Sequence, residues 1–97
     1  MRERMPCVYI LASSERGTLY VGVTSDLRLR IWQHKTGAVI GFTAKHRVHE
    51  LVWHEQHETM VSAIHREKCI KEWKRIWKIE LIEKMNPSWR DLYPDIT

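Results

Sequence analysis

Apolar residues fall into three short β-prone runs and one long helical stretch. Val8-Tyr9-Ile10-Leu11 is the first run, Ser13 to Thr18 with Gly17 reads as a turn, and Leu19-Tyr20-Val21-Gly22-Val23-Thr24 is the second. Together they predict a hairpin across which Tyr9 and Tyr20 can approach one another. Ser25 or Asp26 can cap the next element, because a short side-chain oxygen satisfies an orphan N–H at a helix start. That helix is expected to run to about Lys35 and stop before Gly37. In it Leu27 and Ile31 share one face, while Arg30 and His34 lie one turn apart on another. Gly37 to Arg47 has two glycines and weak periodicity, which predicts a loop with a cationic end, Thr43-Ala44-Lys45-His46-Arg47. Leu51-Val52-Trp53 marks a third strand, roughly His49 to Glu55.

From Thr59, a fitting N-cap, the pattern turns helical. Val61, Ala63, Ile64 and Ile70 supply apolar positions, and Trp73, Trp77, Leu81 and Met85 continue a four-residue rhythm until Asn86-Pro87 closes it. The stretch is long for one helix in so short a chain, so a break is expected near Lys74-Arg75. The tail from Ser88 to Thr97 carries Trp89, Leu92 and Tyr93 and is expected to pack back onto the fold. The length of 97 residues predicts one domain, with its core over about 6–86 and the packed tail over 87–97. A chain of this size buries only about 60–70% of its unfolded surface, and five tryptophans supply much of the apolar bulk.

Composition excludes more than it assigns. No run of 18 apolar residues is present, so no membrane span is predicted. The charged start Met1-Arg2-Glu3-Arg4 leads into an apolar run too short for a signal-peptide core. The only cysteines, Cys7 and Cys69, then read as free thiols in a reducing cytoplasm. Sixteen Lys and Arg against twelve Asp and Glu leave a net charge of +4, which suits nucleic acid but also many ordinary proteins. The histidines at His46, His49, His54, His57 and His65 lack the paired Cys/His framework of structural zinc, and Cys69 lacks an identified base.

One ordered set carries chemistry: Tyr9, Tyr20, Arg30, His34 and, well downstream, Glu67. Tyrosine and histidine can move protons, arginine can hold a phosphate, and a carboxylate can hold a hard cation such as Mg²⁺. Taken singly, each residue reads more simply as packing or as a solvated charge. Glu67 lies four residues after Ala63 and three before Ile70, so it points toward the apolar side of its helix. Such a carboxylate needs a partner, either an arginine such as Arg30 or a metal. Lys68, Lys71, Arg75 and Lys78 would form one cationic stripe if the helix continued, flanked by Arg66 and Lys74. Such a stripe is either a solvated face or a track for a nucleic-acid backbone.

In their order, these residues resemble the GIY-YIG nuclease superfamily. Cys7-Val8-Tyr9 stands where the family has its first tripeptide and Tyr20-Val21-Gly22 where it has its second. Thr24 to Arg30 resembles the strand-to-helix junction that ends in the catalytic arginine, and His34 follows at the family's spacing. Phe42-Thr43-Ala44-Lys45, Leu51-Val52-Trp53, Arg66 to Lys71 and Asn86 to Tyr93 resemble segments of small stand-alone bacterial members related to the N-terminal nuclease domain of the repair excinuclease. The resemblance spans roughly Pro6 to Tyr93. Cys7 and Val8 depart from the first tripeptide, Val21 from the second, and His46 stands where relatives often have tyrosine.

The resemblance implies an α+β fold, a small three-stranded antiparallel sheet flanked by helices. It implies hydrolysis of a DNA phosphodiester with one divalent cation, Mg²⁺ or Mn²⁺, possible service in DNA repair, and no membrane partner. It makes Tyr9 the candidate general base, Tyr20 its aid in orienting water or phosphate, Arg30 the transition-state cation, His34 a phosphate or proton partner and Glu67 the metal ligand. Lys45, His46, Lys68, Lys71 and Arg75 are the candidate DNA contacts. The alternative is a catalytically weak or inactive DNA-binding or repair-accessory module, and a scaffold without nucleic acid stands third. A homodimer or a recruiting protein is compatible with the chain, and no residue demands either.

Overall fold

The computed structural model describes residues 5–38 and 41–97. The charged start Met1-Arg2-Glu3-Arg4, and Val39-Ile40 of the expected loop, lie outside the described residues. The elements are β1 (Cys7–Ala12), β2 (Leu19–Thr24), α1 (Leu27–Thr36), α2 (Phe42–His46), β3 (Glu50–Gln56), α3 (Met60–Glu72), α4 (Arg75–Met85) and α5 (Tyr93–Ile96). The fold is α+β: a three-stranded antiparallel sheet in the order β2-β1-β3 with helices around it.

β1 is central, and all six of its residues are buried, as expected for a strand paired on both edges and covered on both faces. Its alternation sorts two cores. Val8, Ile10 and Ala12 pack with Val52, Trp53, Ala63, Ile70, Ile79 and Ile82, beneath α3 and α4. Tyr9 and Leu11 pack with Ile31, Val48, Leu51 and Leu92, beneath α1 and the C-terminal tail. β3 serves both faces through a one-residue bulge: Ile10 pairs with Trp53 and Leu11 with Leu51, so Val52 is the extra residue. Simple alternation would put Leu51 and Trp53 on one face; the bulge sends Leu51 to the Tyr9 side and Trp53 to the other.

The outer edge of β3 is closed by the tail. The Leu51 N–H donates to Asp91 Oδ1 at 3.1 Å, and the Leu92 N–H donates to the Leu51 carbonyl at 2.7 Å. Buried Asn86 donates to the Val52 carbonyl at 3.2 Å and to that of Arg90 at 2.7 Å. These bonds satisfy strand groups that would otherwise template pairing with another chain.

Asp26 caps α1 by accepting the Leu29 N–H, and Gly37 ends the helix at φ +78, a left-handed conformation that costs glycine little. Thr59 caps α3 by accepting the Ser62 N–H at 3.1 Å. Trp73 and Lys74 take extended backbone and separate α3 from α4, so the expected break falls one residue earlier. The expected Gly37 to Arg47 loop is corrected: Phe42–His46 forms the short helix α2, entered through Gly41 at φ +115 and left through Arg47 at φ +55. Five residues make too few turns for hydrophobic periodicity to reveal.

Candidate active site

The sheet supplies the first two groups. Tyr9 faces Gly22 across the β1–β2 ladder, and its ring lies 6.3 Å from that of Tyr20. α1 supplies the next two, since Arg30 and His34 are one turn apart on a helix capped at both ends. The Tyr9 hydroxyl lies 3.1 Å from His34 Nε2, and both residues are almost fully buried. His34 Nδ1 lies 3.0 Å from the hydroxyl of buried Thr43 on α2. Tyr9, His34 and Thr43 thus form one hydrogen-bonded line across the sheet and two helices. When Nδ1–H donates to Thr43, Nε2 is left to accept the Tyr9 O–H.

Electrostatics set the resting protonation. Burial pushes the Tyr9 phenol well above its ordinary value; Tyr20 and, more weakly, Glu67 add to the rise, and the Arg30 guanidinium beside it pulls the other way. Burial, with Arg30 and His49 adding repulsion, holds His34 down at about 4. Near pH 7 the pair is therefore a neutral phenol against a neutral imidazole. Arg30 also reaches Gln33 Oε1 at 3.5 Å.

Glu67 comes from α3. Among the described residues its ion pair is with Lys71, one turn on at 3.1 Å, and not with an arginine. Its side chain is 12% exposed, and its charge is felt at Tyr9. Among the described residues no three His, Cys, Asp or Glu side chains gather as a metal-holding group. The donor chemistry, one partly buried carboxylate that shares the field at Tyr9 with Arg30, fits a hard cation that keeps water and phosphate as most of its ligands. It does not fit a closed protein cage.

The candidate DNA contacts are scattered. Lys45 and His46 are exposed on α2. Lys68 is exposed on α3, and Lys71 lies against Glu67. Arg75 donates to the carbonyls of Arg16 and Gly17, tying the hairpin turn to α4. Because α3 ends at Glu72, the cationic stripe is interrupted between Lys71 and Arg75. Cys7 and Cys69 are free, and Cys7 is buried at the start of β1 where the family pattern has glycine.

Sequence reasoning missed Thr43 as the second partner of His34 and Phe42 as a ring neighbour of Tyr20. Both sit on the unexpected helix. Their only signal was membership of a segment that resembles the family.

Residues 5–80 match the GIY-YIG catalytic domain. UPF0213 proteins from Staphylococcus aureus strains Mu3, N315 and USA300 are each 36% identical over 77 residues, covering 79% of this chain and 93% of theirs. The solution NMR structure of the UPF0213 protein BH0048 from Bacillus halodurans superposes with a TM-score of 0.55 at 26% identity, covering 89% of this chain and 90% of that one. The chain belongs to the GIY-YIG superfamily and is homologous to UPF0213 proteins within it.

Proposed function

We propose that this protein is a DNA endonuclease that hydrolyses phosphodiester bonds with one divalent cation, Mg²⁺ or Mn²⁺, in DNA repair or processing in the cytoplasm. The observation that carries the reading is the 3.1 Å contact between the Tyr9 hydroxyl and the neutral His34 imidazole, beside Arg30 and within the field of Glu67. A phenol with a raised pKa is a poor base alone. It becomes a competent one if it hands its own proton to His34 Nε2 while taking a proton from water, because no free phenolate then accumulates.

In the proposed step the water oxygen bonds to phosphorus and the bond from phosphorus to the leaving oxygen breaks. The water proton passes to Tyr9 and the phenolic proton to His34, while the leaving oxygen takes a proton from solvent. Arg30 neutralises charge growing on the phosphoryl oxygens, a contribution on the order of a few kcal/mol for a preorganised donor. Tyr20 orients the phosphate or the water. Thr43 holds the imidazole with Nε2 facing Tyr9. A divalent cation held by Glu67 would supply Lewis-acid charge neutralisation at the phosphate. Lys45, His46, Lys68 and Lys71 would hold the DNA backbone, and Arg75 would do so only by leaving its carbonyl partners. The whole chain would act as one domain, related to the N-terminal nuclease domain of the repair excinuclease.

One observation favours the second reading, a DNA-binding accessory module: Glu67 already has a cationic partner in Lys71. The deciding experiment is cleavage of labelled linear, nicked, flap and single-stranded DNA in Mg²⁺, Mn²⁺ or EDTA. Wild type is compared with Glu67→Ala and Tyr9→Phe. The nuclease reading expects metal-dependent cutting that both variants lose. Tight, salt-sensitive binding without cutting would leave the accessory module.

A further inference from the structure

Beyond the reacting groups, one chain of rings runs from the buried site to the surface. Tyr9 is 1% exposed, and Tyr20 lies 6.3 Å from it and 5.7 Å from His34. Phe42 follows, stacked on Tyr20 at 6.3 Å with 27° between the planes. His46 comes last, 4.4 Å from Phe42 and one turn along α2. Phe42 is 48% exposed, so a large flat apolar ring stands open one ring beyond the proposed phosphate site. Trp77 is open to the same degree, but its ring neighbour is Trp73 at the α3–α4 elbow, and Lys74 lies over its face.

We propose that Phe42, backed by Tyr20 and His46, is the stacking surface for one nucleobase of the strand being cut, the base next to the scissile phosphate. The inference rests on the nuclease reading and adds a substrate feature to it. Every base offers a π face, so an exposed aromatic ring binds bases without reading sequence. The surroundings suit a nucleotide: Lys45 and Arg47 are exposed on the same short segment and can meet the backbone charge on either side of that base. A base on Phe42 must have left its own stack, so the preferred substrate has an unpaired or readily extruded nucleotide at the cut.

The test uses an oligonucleotide carrying a single abasic residue, walked one position at a time through the cleavage site. Affinity is measured by fluorescence anisotropy in EDTA, and cutting is mapped separately in Mg²⁺. The proteins are wild type, Phe42→Ala, Phe42→Leu, which keeps apolar bulk without a flat ring, and Phe42→Trp. Wild type should lose about tenfold in affinity when one base beside the cut is removed. Phe42→Leu and Phe42→Ala should show that loss on the intact strand and no further loss at that abasic position, while Phe42→Trp should match wild type. Independent, multiplying losses, or a Phe42→Leu protein that binds like wild type, would overturn the stacking surface. Cutting without this coupling leaves the nuclease and removes the subsite. Coupling without cutting does the reverse, and no DNA binding at all removes both.

Discussion

Tyr9 lies across Gly22. The two are partners on the β1–β2 ladder, and a Cβ built on Gly22 would come within 2.5 Å of the Tyr9 hydroxyl oxygen. The glycine of the second tripeptide is therefore spatial, not conformational: it has no positive φ and is needed because the Tyr9 ring occupies the place of its side chain. Gly22→Ala should force Tyr9 away from His34. Overpacking of this kind costs about 1–3 kcal/mol, and a misplacement near 1 Å can cost roughly a hundredfold in rate. Thermal midpoint and DNA cleavage rate, measured on one preparation, check both; unchanged cleavage would refute the steric account.

His34 makes stability depend on pH. Its folded pKa, about 4, lies below the ordinary histidine value near 6.5. The unfolded chain therefore binds a proton first as pH falls. The stabilisation is fully present above about 6.5 and drains away down to about 4, at no more than ~1.4 kcal/mol per pH unit. Urea midpoints at pH 7.5 and pH 5 should differ, and His34→Gln should narrow the gap. His54, lowered chiefly by burial, adds a smaller effect of the same sign. The acid limb of the cleavage profile should lie nearer 4 than 6.5, because only neutral His34 can take the Tyr9 proton.

Thr43→Val keeps the shape of the side chain and removes the partner of His34 Nδ1. Turnover should fall by about fivefold with KM unchanged, since DNA contacts are untouched; one lost neutral hydrogen bond is worth roughly 1 kcal/mol. Thr43→Ser should restore most of the rate. If Val and Ser variants were equally active, Thr43 would have no positioning role.

Glu67→Gln tests the metal site against its ion pair. It should abolish Mg²⁺-dependent cutting, while Lys71→Ala should tighten Mn²⁺ binding severalfold by removing the competing cation, even as it weakens the hold on DNA. Calorimetric Mn²⁺ titration reads the second effect independently of activity.

Asp91 accepts from Lys35 Nζ at 2.5 Å and from the N–H groups of Leu51 and Tyr93. Asp91→Ala should destabilise the fold by about 2 kcal/mol, because it strands donors at the edge of β3. Denaturant unfolding measures this, and a loss below half that figure would mean the tail holds on through Leu92 and Asn86 alone.

The sequence made the hairpin, α1, the third strand and the α3–α4 break legible because each has a local cause: a turn glycine, an Asp26 cap, the short apolar run Leu51-Val52-Trp53, a pattern too long for one helix. Tyr9, Tyr20, Arg30 and His34 could be named because their order resembles the family's pattern, and ladder and helix spacing allow them to meet. What stayed hidden depended on contacts far apart in the chain. Val52 looks like any strand residue until Leu51 and Trp53 are seen on opposite faces. Glu67 was expected to need an arginine or a metal as its partner, and among the described residues it pairs with its helical neighbour Lys71. Arg30 pulls the Tyr9 phenol toward ionisation, and burial, invisible in the sequence, outweighs that pull.

The line from Tyr9 to Thr43 joins two very unequal supports. Tyr9 sits on β1, whose amides should exchange with solvent only when the whole molecule opens. Thr43 sits on a helix of five residues that closes few of its own hydrogen bonds and should open far more often. Proton transfer would then stop each time α2 frays, although the sheet stays intact. On warming, activity should fade before the cooperative melt, in step with amide exchange over Phe42–His46. A ligand that clamps α2, a bound DNA strand included, should restore both together.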